Sequence, residues 1–288
     1  MDSEAIRAIV RRALDEDLPD VTSNAIFDAE ERAGARIIAR QAGIIAGLAF
    51  AEATFRELDS TTEFLTIRSD GDAVAPDETV VEIRGRVRAL LAAERTALNL
   101  LQRASGIATA TKRYVDSIAG TGAIICDTRK TAPGLRALDK AAVRAGGGHN
   151  HRLGLFDMVL IKNNHVDRAG GVGNAIARAR RSAASVPLMV EVRDLPELRE
   201  AISATPDFIL LDNMSASQLR EAVAIARSTS PRHIPLEASG GITLQNVREI
   251  AETGVDRISI GALTHSVAAL DLSMRIEALP PGDPGARK

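Results

Sequence analysis

Ala123-Ile124-Ile125-Cys126-Asp127-Thr128-Arg129-Lys130-Thr131 is an apolar run that ends in charge. Five more such runs follow, at Met158–Ile161, Leu188–Val192, Phe208–Leu211, Ile234–Leu236 and Arg257–Ile260. Between most of them lie amphipathic helical stretches: Gly173–Ala183, Leu195–Ser203, Ala216–Ser228 and Leu244–Thr253. Repeated strand-then-helix units with near-continuous apolar strands predict a parallel sheet buried on both faces. Six strands in about 150 residues fall short of a closed eight-stranded barrel, which usually takes more than roughly 200. The expected fold is therefore α/β with an open, incomplete barrel. A doubly wound sheet is the alternative, weakened because no G-x-G-x-x-G follows the first strand.

Upstream the pattern changes. Ser3 to Asp17 reads as a helix, with Ile6, Ile9, Val10 and Leu14 on one side. Strand-like pieces follow at Ala35–Ala39, Glu63–Ile67 and Thr79–Val87, with a helix at Leu48–Leu58 and a turn at Asp70-Gly71-Asp72. This order predicts an N-terminal α/β sandwich with an antiparallel sheet. Ala89–Arg103 is a strong helix with Leu90, Leu91, Ala97, Leu98, Leu100 and Leu101 on one face. Arg95, Asn99, Gln102 and Arg103 lie on the other. Glu94 falls within the apolar face, where a lone carboxylate is costly, so it is expected to have a partner. A second helical stretch covers Ile107–Ile118. The expected domains are 1–118 for the sandwich with its central helices, whose last part can return after 265, then 119–270 for the open barrel. A C-terminal segment covers 271–288, with a frayed tail at 280–288.

Composition excludes several classes. Of 288 residues, 45% are apolar and only 2% aromatic, with no Trp, so the core is built of Ala, Val, Leu and Ile. Aromatic stacking of a nucleobase is a poor expectation. The formal charge of -2 gives no global basic field for nucleic acid. Cys126 is the one cysteine, which rules out an intramolecular disulfide and a Cys-based metal site. Within its apolar run it reads as a small buried hydrophobe. Met1 to Asp17 mixes acids and arginines, unlike a signal peptide or a membrane span, and a cytoplasmic protein is expected.

The chemistry collects at the strand ends. Asp127-Thr128-Arg129-Lys130-Thr131 follows the first strand and Lys162-Asn163-Asn164-His165 the second. Glu191 ends the third, Asp212-Asn213 the fourth, Glu237-Ala238-Ser239-Gly240-Gly241 the fifth and Gly261-Ala262 the sixth. In α/β barrels these ends share one mouth, where active sites are built. Each has a bland alternative. Arg129 and Lys130 can be solvated loop charges, and Glu191 and Asp212 can cap the helices that follow. The Ser239-Gly240-Gly241 turn can be only a tight turn, and Gly146-Gly147-Gly148 only a helix stop. Charge sorting argues for more. Arg129, Lys130, Arg152 and Lys162 suit a polyanion, with His149 and His151 nearby in sequence. Arginine pairs carboxylates bidentately, whereas lysine meets phosphate as a point charge. Glycine turns feeding helices expose N–H groups to phosphate. Two carboxylates beside a diphosphate are what magnesium needs. Residues alone thus suggest a magnesium-diphosphate substrate together with a carboxylate-bearing one.

The same motifs carry a resemblance. Glu94-Arg95-Thr96-Ala97-Leu98-Asn99, Ser105-Gly106-Ile107-Ala108-Thr109 and Asp127 through Arg136 resemble the quinolinate phosphoribosyltransferase family, also called nicotinate-nucleotide pyrophosphorylase. So do Gly146 through Arg152, Leu160 through His165, Val190-Glu191-Val192, Leu210 through Asn213, Ser239-Gly240-Gly241-Ile242 and Gly261 through Ser266. The likeness runs from about Asp15 to His265. Three departures stand out: no glycines before Asp20, Ala238 where a serine is common, and Arg193 as an added charge near Glu191. The resemblance implies a sandwich followed by an open barrel, quinolinate and phosphoribosyl pyrophosphate as substrates, magnesium as cofactor, and a homodimer or an assembly of dimers without nucleic acid or membrane. It implies that Arg95, Arg129, His151, Arg152 and Lys162 surround quinolinate. Thr128, Lys130, Glu191, Asp212, Ser239, Gly240, Gly241, Gly261, Ala262 and His265 would serve phosphoribosyl pyrophosphate. Lys130, Lys162, Glu191 and Asp212 would be the catalytic set, and Glu191 and Asp212 would hold the metal directly or through water. Alternatives are a relative acting on another pyridine or unknown acceptor, a barrel aldolase using Lys130 or Lys162 as a Schiff-base nucleophile, and a non-enzymatic binding protein.

Overall fold

The computed structural model describes residues 3–183, 185–230 and 232–279. The tail expected at 280–288 lies outside them. Along the chain, α1 (Ser3–Leu14) and α2 (Val21–Ile26) lead into β1 (Arg32–Ala39), β2 (Gly43–Ile44), α3 (Leu48–Leu58), β3 (Glu63–Thr66), β4 (Ala73–Val74), β5 (Thr79–Arg86) and α4 (Val87–Ser117). Next come β6 (Ile124–Cys126), α5 (Arg136–Ala145), β7 (Val159–Ile161), α6 (Asn163–Ala169), α7 (Val172–Ser182), β8 (Leu188–Val192), α8 (Leu195–Ser203) and β9 (Phe208–Asp212). The chain continues through α9 (Ala216–Thr229), β10 (Leu236–Ser239), α10 (Val247–Ala251), β11 (Arg257–Ser259), α11 (Ala262–His265) and β12 (Leu272–Glu277). It divides into two compact units. The first comprises Met1–Lys112, Thr131–Gly147 and Ser266–Lys288, the second Arg113–Lys130 and Gly148–His265.

The first unit is built on an antiparallel sheet of order β12-β1-β5-β3, with a separate β2-β4 ribbon. Strand β1 alternates strictly, so Ala33, Ala35, Ile37 and Ala39 enter the core while their neighbours face outward. Strand β12 pairs with β1 in a register that sets Ala35 opposite Ile276. The expected helix face is correct: Leu90, Ala97, Leu98, Leu100 and Leu101 are buried. The opposite stripe ties the unit together. Gln102 Nε2 donates to the Leu272 carbonyl at 2.7 Å, and Arg103 makes a two-pronged bond to buried Asp139, both contacts at 2.8 Å.

Two expectations are corrected here. The two central helices are one helix of 31 residues, because Ser105-Gly106 does not break it. A Cβ on Gly106 would overlap the Ala268 carbonyl, so this glycine serves a close backbone approach. The partner expected for Glu94 is also absent: the residue is partly exposed, and its carboxylate makes no hydrogen bond or ion pair among the described residues. At the edge of the buried stripe it needs none.

The second unit holds a six-stranded sheet of order β6-β11-β10-β9-β8-β7, parallel at every pairing. Strands β7 to β11 lie in sequence order and the first, β6, adds beside the last. A doubly wound sheet would reverse order at a switch point, and this one does not. Edge strands β6 and β7 do not pair with each other, so the barrel is open, as expected. The chain between them passes through Thr131–Gly147, which belongs to the first unit. The fifth strand is shifted from its expected place. It runs from Leu236 to Ser239, with Leu236 opposite Ile209 and Ser239 opposite Asp212, so Glu237 lies inside the strand. A charge there broke the apolar run, yet Arg257 on β11 meets it at 2.8 Å. The described residues contain no helix long and apolar enough to cross a membrane.

Candidate active site

All six strands of the second unit deliver side chains to one cavity of about 580 Å³. Thr128, Arg129 and Lys130 reach it from the end of β6, Lys162 from β7, Glu191 from β8 and Asp212 from β9. Glu237 and Ser239 enter from β10, and Gly261 and Ala262 follow β11. Both edge strands contribute to one cavity, which requires the sheet to curl. Among the residues expected from the resemblance, every one except Arg95 lines it. Arg95 is exposed on α4 and lines a groove of the first unit with Arg12, Asn99 and Pro133.

The return loop to β7 is fixed from beneath. Asp127 is fully buried and accepts from Asn150 Nδ2 at 2.6 Å and from the His151 N–H at 2.7 Å. His149 bonds alongside β6, donating its N–H to Ile125 and accepting from Asp127. Asp157 then pins the turn after Arg152, taking the Leu153 and Gly154 N–H groups at 2.6 and 3.0 Å. Burial opposes its charge, but these bonds outweigh it and hold its carboxyl below the usual range. Arg152 itself donates to the Met158 carbonyl at 3.1 Å. Burial, and then the neighbouring charge of Arg129, lower its pKa. Two guanidiniums that line one cavity and feel each other's charge favour an anion there.

Across the cavity the sign reverses. Burial and then repulsion from Asp212 push the Glu191 carboxyl above its usual range. The Asn163 N–H approaches Glu191 at 3.5 Å, and Asn163 Oδ1 is buried without a hydrogen-bond partner among the described residues. The helix-cap alternative fails for both acids, because Asp194 caps α8 and Ser215 caps α9. Lys130 is held through its backbone. Its N–H donates to Thr128 Oγ1 at 3.0 Å and its carbonyl accepts from Thr264 Oγ1 at 2.9 Å. A Cβ at Gly261 would stand 2.8 Å from Lys130 Cδ, so the glycine gives that side chain room. Gly240 has φ +98°, and a Cβ there would overlap Asn213 Oδ1. Gly146 ends α5 and also allows a close approach, since a Cβ there would overlap the Ala108 carbonyl.

The departures from the family pattern prove harmless at the cavity. Ala238 is 2% exposed within the apolar core, alternating with cavity-facing Glu237 and Ser239, so no hydroxyl is lost there. Arg193 pairs with Asp167 at 3.0 Å and with Glu197, away from Glu191's cavity face. Asp20 caps α2 without help from glycines. Sequence reasoning set Asn213 and Glu237 at strand ends but gave them no role, and it missed Thr243 as a lining residue. For Glu237 the signal was present as a carboxylate two residues before Ser239, on the same face of a strand.

Residues 20–105 match the N-terminal domain of quinolinate phosphoribosyl transferase, and residues 107–275 its C-terminal domain. A probable nicotinate-nucleotide pyrophosphorylase (carboxylating) of Bacillus subtilis is 44% identical over 258 residues, 89% of this chain and 88% of that protein. The nicotinate-nucleotide pyrophosphorylase (carboxylating) of Mycobacterium leprae is 42% identical over 94% of this chain and 97% of its own. Among solved structures, NadC from Streptococcus pyogenes superposes with a TM-score of 0.92 at 38% identity, covering 97% of this chain and 99% of that one. Both domains match in order and nearly the full length is shared, so the chain belongs to the quinolinate phosphoribosyl transferase family.

Proposed function

We propose that this chain transfers phosphoribose from phosphoribosyl pyrophosphate to quinolinate and releases carbon dioxide, forming nicotinate mononucleotide and pyrophosphate in de novo NAD biosynthesis. The observation that carries this reading is the sorting of charge in one cavity. Arg129, Arg152, Lys130 and Lys162 share it with Glu191 and Asp212. A dicarboxylate suits the guanidinium pair. The ribose and diphosphate suit Lys130, the two acids and the Ser239-Gly240-Gly241 and Gly261-Ala262 turns.

Magnesium is part of the proposal. No group of three or more His, Cys, Asp or Glu among the described residues could hold a metal alone. Glu191 and Asp212 nevertheless fit magnesium, which takes one or two carboxylates with diphosphate oxygens and water. When bound, it would offset the charge gathering on the departing diphosphate.

The chain's own residues do the remainder by placement. Arg129, Arg152, His151 and Lys162 hold quinolinate with its ring nitrogen toward the anomeric carbon, and Lys130 meets the diphosphate. Attack forms the bond from nitrogen to the anomeric carbon as the bond to pyrophosphate breaks. The resulting pyridinium stabilises the electron pair left at the ring carbon when the adjacent carboxylate departs, and that carbon then takes a proton. No side-chain nucleophile is required, so Lys130 and Lys162 act as charges. The test is incubation with phosphoribosyl pyrophosphate, magnesium and quinolinate labelled in the carboxylate next to the ring nitrogen. Labelled carbon dioxide in equal amount to nicotinate mononucleotide is expected. Transfer to nicotinate with none to quinolinate would select the other-acceptor alternative.

We further propose a homodimer in which Arg95 serves the partner's cavity. Its exposed place in a first-unit groove supports this, as does the homodimer that the resemblance implies.

A further inference from the structure

Glu237 is fully buried on β10, lines the cavity and has none of the roles proposed above. Its Oε2 accepts from Arg257 Nε at 2.8 Å, and the Arg257 guanidinium lies 5.4 Å from the centre of the Phe208 ring. Its Oε1 is buried without a hydrogen-bond partner among the described residues. Nε2 of His151 stands 3.4 Å from that oxygen, within ion-pair range but outside hydrogen-bond alignment. A buried carboxylate that is only half satisfied is costly, and for stability alone a well-packed neutral side chain would do better. Such a group points to function.

His151 shows what Glu237 acts on. The imidazole is buried, and its Nδ1 accepts the Arg152 N–H at 2.7 Å. No proton can sit on that nitrogen while the bond stands. The single proton of a neutral ring therefore lies on Nε2, the side that Glu237 faces. Asp127 holds the backbone below, accepting the His151 N–H at 2.7 Å. The Arg152 N–H on one side requires this tautomer, and the Glu237 carboxylate on the other, which can only accept, favours it. We propose that Glu237 is a positioning residue: anchored by Arg257, it locks His151 as an Nε2–H donor within the substrate cavity.

The consequence, which rests on the dicarboxylate reading above, is a neutral donor among cations. Burial, and then the charge of Arg129, already lower the pKa of Arg152. A further full charge on His151 would crowd them more, whereas an N–H adds directional recognition without it.

The test uses the full-length enzyme with 15N-labelled histidine. Long-range proton–nitrogen spectra of the substrate-free wild type should show His151 protonated on Nε2 only, its signals assigned by their loss in His151→Ala. In Glu237→Gln, whose amide can donate to Nε2, the Arg152 N–H must compete with that new donor for the ring, and a mixture of tautomers is expected. That variant should raise the KM for quinolinate at least tenfold while changing the KM for phosphoribosyl pyrophosphate less than twofold. On a His151→Ala background the same change should cost less than a further twofold in kcat/KM, because it acts through the imidazole. A wild-type ring protonated on Nδ1, an unchanged tautomer in Glu237→Gln, or losses that multiply would each overturn the proposal. If Glu237→Gln does not fold, Arg257→Gln, which loosens the anchor of Glu237, takes its place, with the same results expected and the same results overturning the proposal. A wild type inactive on quinolinate would refute the functional reading and leave the tautomer measurement standing.

Discussion

Like charges face each other at two places in the cavity, Arg129 with Arg152 and Glu191 with Asp212. Each pair raises the energy of the cavity until a ligand of opposite sign relieves it. For the cationic pair, Arg152→Ala should abolish quinolinate binding and leave phosphoribosyl pyrophosphate binding largely intact. Losing one charged partner in a desolvated site costs roughly 2–5 kcal/mol. Calorimetry giving an unchanged quinolinate affinity would remove Arg152 from that role. For the acidic pair, the direction of titration can be worked out. Burial first, then Asp212, raise the Glu191 carboxyl, so the folded chain binds its proton more tightly than the unfolded chain does. Between the ordinary carboxylate value and the raised one, folded stability therefore falls as pH rises. Binding runs the other way, since magnesium-loaded phosphoribosyl pyrophosphate wants the ionised form and should bind better as pH climbs through the same window. Asp212→Asn removes the like charge but not the burial. It should lower the Glu191 midpoint without restoring it fully, as followed by carbon NMR of the carboxyl. A midpoint that does not move would mean that Asp212 exerts no field on Glu191.

At the scale of elements, periodicity made most of the fold legible, and it failed where a residue's reason lay elsewhere in the chain. Apolar runs marked six parallel strands, and their ends marked Thr128, Arg129, Lys130, Lys162, Glu191, Asp212 and the glycine turns; the family resemblance added His151, Arg152 and His265, and the cavity gathers them all. The fifth strand was misplaced because Glu237 reads as polar; the Arg257 that accommodates it is 20 residues away. Glycine at 106 read as a break because the Ala268 backbone that needs the space is remote in sequence. The two readings of Gly106 predict opposite signs. In an open helix interior, Gly106→Ala would stabilise by about 1 kcal/mol through propensity. Here the added Cβ meets the Ala268 carbonyl, and overpacking costs about 1–3 kcal/mol. The clash should win, so the melting temperature should drop. A rise would mean that the 268 segment yields easily. Thr131–Gly147 is likewise unmarked by composition: nothing in its residues says that it joins the first unit, because that follows from where Asp139 finds Arg103.

For the whole molecule, the cavity and Arg95 pose the outstanding question. Arg95 is exposed on the polar stripe of α4, where a solvated arginine would be ordinary. Two facts argue for more. It shares a groove with Arg12 and Asn99, and it falls in the family motif that runs from Glu94 to Asn99. A closed two-fold dimer has two equivalent sites, each built in the same way from both chains. If each site takes its Arg95 from the other chain, damage to the two halves can be sorted between sites. Arg95→Ala alone and Arg152→Ala alone should each be nearly inactive. Refolded together, they form mixed dimers in which one site carries both lesions and the other carries neither. Activity should then recover to about half that of the wild type per mixed dimer, because one of two equivalent sites is whole. The recovery should track the mixed species when dimers are separated by tagged subunits and weighed. If Arg95 instead served its own chain's cavity, every site in the mixed dimer would hold one lesion, and no recovery would appear at any mixing ratio.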